Sequence, residues 1–130
     1  KPHYELLLKI KDYPNKAYIY NNLSNIAIET NIEEAEAFVL KALELDNYSA
    51  SILDTQGWIM SKQAKYEEAL TALRRAFSID SKDPAIRYHL AFTLHKLGRN
   101  EEARRELLDA LASENKFRER ELAQQLLNSI

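Results

Sequence analysis

One hydrophobic pattern recurs along this chain at intervals of 34 residues. In each copy an acidic pair precedes an alanine, and apolar side chains follow that alanine at the fourth, seventh and eighth positions. The three alanines are Ala35, Ala69 and Ala103. Apolar residues with this spacing lie on one face of an α-helix, and acidic residues in the first turn interact favourably with the helix dipole. The pattern therefore predicts three amphipathic helices, each with one buried face.

A second predicted helix precedes each of these three. Its apolar face includes a small residue, which is Ser24, Gly57 or Ala91 in the successive copies. Because a small side chain lets a neighbouring helix come close, we expect each of them at a helix crossing. A period of this length made of two helices indicates a repeat protein, in which each unit buries its apolar face against the next. The predicted fold class is therefore all-α.

The connections between the predicted helices contain helix-end signals. Gly98 is expected to end a helix with a positive φ, and Asn31 and Ala64 fall at about the same place in the other copies. The turn inside the first copy is one residue shorter than the other two. Asp83-Pro84 is typical of an N-cap followed by the first helical residue.

These signals divide a single predicted domain, residues 1–130, into five parts. They are a partial-repeat helix at 2–12, repeats at 16–48, 49–83 and 84–114, and a capping helix at 117–129. The last helix is expected to cover the apolar end of the third repeat, as a solenoid requires for solubility. Leu6, Leu7 and Ile10 give the first helix an apolar face that lacks a partner. We therefore expect this helix to form a homo-oligomer or to stack on further repeats.

The period and the motif residues resemble the tetratricopeptide repeat (TPR) family. In the middle copy the match runs through Gln56-Gly57, Met60, Tyr66, Ala69, Leu73 and Ala76. The likeness covers residues 16–113 and extends to the C-terminal repeats of longer bacterial TPR proteins, some of them associated with the cell envelope or polysaccharide export. It implies a right-handed α-solenoid of three helix-turn-helix repeats. It also implies a concave groove lined by the first helices, in which an extended peptide or a short helix binds.

Nine residues are candidates for lining this groove, because they lie on the first helices outside the buried faces. They are Asn21, Asn25, Asp54, Trp58, Lys62, Tyr88, Phe92, His95 and Lys96. Aromatic residues ringed by polar groups are typical of binding hot spots, although rings in helix arrays also pack between neighbouring repeats. Lys62 and Lys96 are 34 residues apart and so should lie on the same face. They would attract an acidic peptide or its terminal carboxylate, or else remain as solvated charges.

One specialisation of the resembled family is not expected here. Its members that bind the acidic C-terminal tails of chaperones use a clamp of Lys and Asn, then Asn, then Lys and Arg. The corresponding positions in this chain are Asn21 and Asn25, then Thr55, then Ala85 and His89. Only Asn25 agrees, which argues against chaperone-tail binding.

The composition and the histidine positions argue against catalytic, cofactor-binding and metal-binding functions. The formal net charge is −2, there is no cysteine, and the two glycines are 41 residues apart. These facts exclude thiolate chemistry and a glycine-rich phosphate loop. His89 and His95 lie on different helix faces, and a convergence of Asp54, Ser61 and His95 would lack the features of a hydrolase. We therefore expect no catalysis, no cofactor and no metal.

The remaining partner classes follow from charge and hydropathy. The arginine pairs at 74–75 and 104–105 are interleaved with glutamates, which is typical of a solvated helix face with ion pairs and not of a nucleic-acid interface. The longest apolar runs have three residues, so no membrane insertion is expected. A cytoplasmic and a periplasmic or cell-envelope location both stay open.

The predicted function is a non-catalytic scaffold for protein–protein interaction, which binds a peptide or a partner segment in the groove. The alternative is a structural or oligomerisation module of a larger bacterial TPR protein of the cell envelope or of polysaccharide export. RNA binding is a third and weaker alternative.

Overall fold

The computed structural model describes residues 15–114 and 116–130, so the helix predicted at residues 2–12 lies outside the described residues. The described part is all-α, with seven helices and no strand. In chain order the helices are α1 Lys16–Ala27, α2 Ile32–Leu45, α3 Ala50–Lys62, α4 Tyr66–Ile79, α5 Pro84–Lys96, α6 Asn100–Ala112 and α7 Arg120–Ser129.

The first six helices form three hairpins that stack in chain order. The hairpins are α1 with α2, α3 with α4, and α5 with α6, and neighbouring hairpins pack through α2 against α3 and α4 against α5. In addition, α1 contacts α3 and α3 contacts α5. The fold is therefore an all-α solenoid, and α1, α3 and α5 together make one side of it, here named the first-helix face.

Small residues lie at the closest helix crossing of each hairpin, as the sequence predicts. The alanine that opens the second-helix motif is fully buried in all three hairpins. In the second hairpin, a Cβ placed on Gly57 would lie 2.5 Å from Leu73 Cγ and 3.3 Å from the carbonyl oxygen of Ala69. In the first, the Ser24 hydroxyl donates a hydrogen bond of 2.6 Å to the carbonyl of Ala35. A larger side chain at Gly57 would therefore require Leu73 to shift or the two helices to move apart.

The turns inside the second and third hairpins share one geometry. A backbone amide donates to a carbonyl five residues earlier, from Lys65 to Met60 at 2.9 Å in the second hairpin. The residue before the donor has a positive φ, which is 64° for Ala64 and 80° for Gly98. The corresponding pair in the third hairpin is Arg99 and Leu94, also at 2.9 Å. This is the expected way to satisfy the last carbonyl groups of a helix.

The turn inside the first hairpin is tighter. The amide of Asn31 donates to the carbonyl of Ala27, only four residues earlier, at 2.8 Å. The paired residues Ser24 and Ala35 are eleven positions apart, whereas Gly57 and Ala69 are twelve apart, which confirms the predicted shortening by one residue; this turn has no residue with positive φ. The expectation that Asn31 ends a helix is wrong, because its side chain instead caps the start of α2 by accepting a hydrogen bond from the Glu34 amide. Asn is a favourable N-cap because its short side chain accepts a hydrogen bond from a nearby backbone amide, and the same property makes Asn common in turns.

Helix α7 closes the third hairpin but starts later than the sequence pattern suggests. It begins at Arg120, whereas a helix was predicted from residue 117, and residues 116–119 form a non-helical approach to it. The Arg120 guanidinium donates to the carbonyl of Leu111 at 2.6 Å. Ala123 is fully buried against the same core as Leu107. Among the described helices, none is both long and apolar enough to cross a membrane.

Candidate ligand-binding surface

An aromatic cluster centred on Trp58 joins α3 to α5. The indole stacks on the imidazole of His89, with ring centroids 4.2 Å apart and 25° between the ring planes. It meets Phe92 edge-on at 4.9 Å and Tyr88 in a tilted arrangement at 5.8 Å. Aromatic pairs in such geometries stabilise a structure beyond the area they bury. The cluster therefore helps to hold the second and third hairpins together.

Two lysines extend over the rings of this cluster. The Lys62 ammonium lies 4.9 Å from the centroid of Trp58, and the Lys96 ammonium lies 5.4 Å from the centroid of Phe92. Both lysines are exposed, whereas the two rings are half-buried. Among the described residues, neither lysine is ion-paired with a carboxylate. We name Trp58, Lys62, Phe92 and Lys96 the Trp58–Phe92 surface.

A buried polar network lies directly beneath Trp58. Nδ1 of His89 is 2.7 Å from Oδ1 of Asp54 on α3, and Nε2 is 3.3 Å from Oε2 of Glu119, which immediately precedes α7. The side chain of His89 is only 7% exposed, against 14% for Asp54 and 16% for Glu119. The network therefore connects α3, α5 and the approach to α7 through a single imidazole.

The two carboxylates decide the protonation state of this imidazole. Burial alone lowers the pKa of His89, but the charges and hydrogen bonds of Asp54 and Glu119 outweigh it and raise the pKa to about 9. The hydrogen bond from His89 in turn lowers the pKa of Glu119, against the opposing effect of its burial. At neutral pH His89 is thus an imidazolium that donates to both carboxylates.

A small cleft of about 50 Å³ adjoins this network on the first-helix face. Its walls include Trp58 and His89, Glu29 from the turn after α1, and Arg118 and Glu119 from the approach to α7. The volume holds a few water molecules. The non-helical segment before α7 therefore lies at the first-helix face next to Trp58.

The structure separates the nine predicted groove residues into different environments. Asn21 and Tyr88 are 4% and 5% exposed, and the Asn21 amide donates to the Ser51 hydroxyl at 3.1 Å. Asn25 is exposed, and its Oδ1 lies 3.5 Å from the Thr55 hydroxyl. Five of the nine meet at the aromatic cluster: Tyr88 is its buried member, and the other four form the Trp58–Phe92 surface.

The remaining two predicted groove residues have partners of their own. Asp54 belongs to the buried network with His89, and His95 pairs with the Oδ1 of Asn100 at 2.8 Å. Ser61 is buried and bonded to the Thr93 hydroxyl at 2.5 Å. Asp54, Ser61 and His95 therefore do not converge, because each side chain interacts with a different residue.

Sequence reasoning missed the pairing of His89 with Asp54 and Glu119. A signal for the first pair exists, because Asp54 and His89 are 35 residues apart, one repeat and one residue, and so lie on adjacent first helices. No comparable signal exists for Glu119. It follows the last repeat in a non-helical segment, whose path no periodicity predicts.

Arginines on the second helices, and Arg99 at the N-cap of α6, pair with neighbouring glutamates. Arg104 bonds Glu101 at 2.6 Å, Arg99 bonds Glu102 at 2.7 Å, and Arg74 lies 3.6 Å from Glu102. The pairs Arg99–Glu102 and Arg104–Glu101 each join residues three positions apart in the sequence. Exposed pairs of this kind contribute little to stability, and they place acidic groups beside Arg74, Arg99 and Arg104.

Comparison with known proteins establishes the class and then the family. The stacked hairpins define an α-helical repeat protein, and the tetratricopeptide repeat family model matches residues 61–130, which is more than half of the chain. The chain therefore belongs to the tetratricopeptide repeat family. Comparison with the curated proteins finds no match.

Several solved structures are similar in fold. The first TPR domain of human RPAP3 is 18% identical with a TM-score of 0.77, and the match covers 89% of this chain and 90% of that domain. The first TPR of Spaghetti (RPAP3) bound to the HSP90 peptide SRMEEVD is 18% identical, with a TM-score of 0.75 and coverage of 88% and 89%. The Yersinia enterocolitica type III secretion chaperone SycD, in complex with a peptide of the translocator YopD, is 22% identical, with a TM-score of 0.71 and coverage of 85% and 88%. At these identities the likeness establishes the fold alone.

Proposed function

We propose that this protein is a non-catalytic protein-interaction scaffold that binds an acidic segment of a partner on the Trp58–Phe92 surface. The observation that carries the proposal is the pair of exposed ammonium groups over two aromatic rings, on equivalent positions of neighbouring repeats. Lys62 and Lys96 lie 4.9 and 5.4 Å from ring centroids and have no carboxylate partner among the described residues. A carboxylate of the partner would supply the missing counter-charge.

The surface is held in place before any ligand arrives. Trp58 is fixed by its stack on His89, and Phe92 is fixed by its edge contact with Trp58. A rigid receptor loses little conformational freedom on binding, so more of the contact energy contributes to affinity. Apolar side chains of the partner would pack on the rings while its acidic groups pair with the lysines.

Similar structures support peptide binding as the general role. Two of the neighbours described above hold peptides, one from HSP90 and one from YopD. The chaperone-tail clamp is a poor model for this chain, however, because Thr55, Ala85 and His89 replace three of its polar residues. His89 is in addition already bonded to two carboxylates. We therefore propose the Trp58–Phe92 surface, and not the chaperone-tail clamp as a whole, as the primary site of the acidic ligand.

Fluorescence titration tests this proposal directly, because Trp58 is the only tryptophan. Hexaglutamate is expected to change Trp58 emission saturably, whereas a neutral hexaserine is not. Lys62→Ala/Lys96→Ala is expected to abolish the response. Lys41→Ala/Lys82→Ala removes the same charge from exposed positions elsewhere and is expected to preserve it. A response that survives the first double substitution, or that is lost equally in both, would contradict the proposal.

Oligomerisation through residues 2–12 remains a separate prediction. Light scattering over a range of protein concentrations tests it in the full chain. A mass that rises with concentration, and that stays monomeric after Leu6→Ser/Ile10→Ser, would support self-association through this helix. A monomer at every concentration would count against it.

A further inference from the structure

The contact of His89 with Glu119 is longer than its contact with Asp54, and Glu119 lies outside a helix whereas Asp54 lies within one. Asp54 lies within α3 and is 2.7 Å from Nδ1, whereas Glu119 lies in the non-helical approach to α7 and is 3.3 Å from Nε2. One carboxylate is enough to balance the charge of one imidazolium. If Glu119 left, His89 would keep its shorter partner and its charge balance.

The position that Glu119 occupies is continuous with the Trp58–Phe92 surface. Trp58 stacks on His89 and also lines the small cleft together with Glu119 and Arg118. The same indole lies beneath the Lys62 ammonium. A partner that lies along the indole of Trp58 can therefore place one acidic side chain near Lys62 and a second one near Nε2 of His89.

We propose that Nε2 of His89 and the adjoining edge of Trp58 form a carboxylate receptor, which Glu119 occupies in the free protein and which an acidic side chain of the partner takes over on binding. This inference rests on the proposed function. Glu119 then acts as an internal competitor, and residues 116–119 must move away from the first-helix face for the second acidic contact to form. The occupant is an aliphatic carboxylate, because the receptor offers a single charged N–H donor beside an aromatic wall.

The other charged groups near His89 leave one position for an anion, at Nε2, and Glu119 fills this position in the free protein. Asp54 faces it from α3, Asp83 interacts with it from the N-cap position of α5, and Arg118 lies beside Glu119 at the cleft. Arg118 belongs to the segment 116–119 and moves away with Glu119, which leaves the His89 imidazolium as the donor to the incoming carboxylate. No second imidazolium is present in the described part of this network.

Acetate titration of the 130-residue chain tests the receptor without any peptide. The indole N–H resonance of Trp58 is the readout, and acetate is exchanged against chloride at constant ionic strength. In Glu119→Ala we expect a saturable shift, because acetate replaces the missing carboxylate, whereas the wild-type protein, in which Glu119 fills the site, should show none. Glu119→Ala/His89→Asn should also show none. A folded Glu119→Ala variant without a saturable shift would overturn the proposal, as would a shift that survives His89→Asn.

Hexaglutamate binding to Glu119→Gln tests the competition and does not depend on the alanine variant folding. Gln keeps the size of the side chain and one acceptor but removes the charge, so Glu119→Gln should bind hexaglutamate about tenfold more tightly than wild type. Equal affinity for both proteins would overturn the internal competition while leaving the proposed function intact. No binding to either protein, together with an acetate shift in Glu119→Ala, would refute the acidic-ligand function while supporting the receptor.

Discussion

The indole of Trp58 stacks on the imidazole of His89 at a centroid distance of 4.2 Å, and this contact joins the second repeat to the third. Trp58 thus contributes both to the packing between repeats and to the proposed binding surface. Its inner neighbours are His89 and Tyr88, and Lys62 lies over it from solvent. Substitutions around Trp58 are therefore expected to separate the two roles.

Trp58→Ala is expected to destabilise the protein much more than removal of the lysine over it. The loss of the stack and of the contacts with Phe92 should lower the free energy of unfolding by roughly 2–4 kcal/mol. Lys62→Ala removes one exposed cation–π contact and should cost less than about 1 kcal/mol. Urea denaturation followed by far-UV circular dichroism measures both. Equal losses would show that Trp58 contributes little to the packing between repeats.

Gly57→Ala is expected to destabilise the second hairpin although alanine favours helices. Helix propensity alone would make this change stabilising by up to about 1 kcal/mol. The new Cβ would instead lie 2.5 Å from Leu73 Cγ, in a fully buried position, so we expect a loss of about 1–3 kcal/mol. Combining it with Leu73→Ala should make the Gly57→Ala cost smaller than in the wild-type background. A gain in melting temperature for Gly57→Ala would mean that the helices do not cross closely there.

Ala64→Gly is expected to stabilise the protein. Ala64 has a φ of 64°, a conformation that is unfavourable for a residue with a Cβ, and the equivalent Gly98 has a φ of 80°. Relief of this strain should exceed the greater flexibility of glycine in the unfolded chain, with a net gain of about 0.5–1 kcal/mol. The reciprocal change, Gly98→Ala, should cost a similar amount, although nothing lies within 4 Å of the added Cβ. Thermal melts of both variants decide the matter, and opposite signs to these would refute the turn geometry.

The stability of the protein is expected to fall between neutral and alkaline pH because of His89. Its pKa is about 9 in the folded protein, above the value of about 6.5 for an unfolded chain. Protonation therefore favours the folded state. The contribution is complete below the unfolded pKa and is lost as the pH rises through about 9, by on the order of 3 kcal/mol. Denaturation across this range measures it.

The matched variants for this pH profile are His89→Asn and His95→Asn. The first removes the imidazole from between Asp54 and Glu119 and should flatten the profile over this interval. The second removes a histidine whose recorded partner is Asn100, outside the network, and serves as the control. A His89→Asn profile as steep as that of the wild-type protein would refute the assignment to His89. On the acidic side, the lowered pKa of Glu119 predicts a further loss of stability only below its unfolded pKa of about 4.5.

The helices and their crossings follow from local patterns, which explains why they are predictable. The spacing of the alanines, the short first turn and the small residue opposite each of those alanines all appear in the structure. The candidate site is less predictable. The sequence prediction assigned residues of the first helices outside the apolar face to the groove, as if each helix had one inner and one outer face. First helices, however, also contact one another along their flanks. Asn21 and Tyr88 lie on these flanks and are buried, although the sequence pattern places them outside.

The sequence by itself determined the repeat, its length, the hairpins and the pair of lysines on equivalent positions, because all of these depend on residues one turn or one period apart. Only the tertiary structure decided which aromatic rings meet, that His89 is held between two carboxylates, and that Glu119 reaches the first-helix face. The physical reason is that these contacts depend on the relative positions of three helices and of a segment without periodicity. Burial and charge at such a junction are properties of the assembled solenoid, and no single repeat contains them.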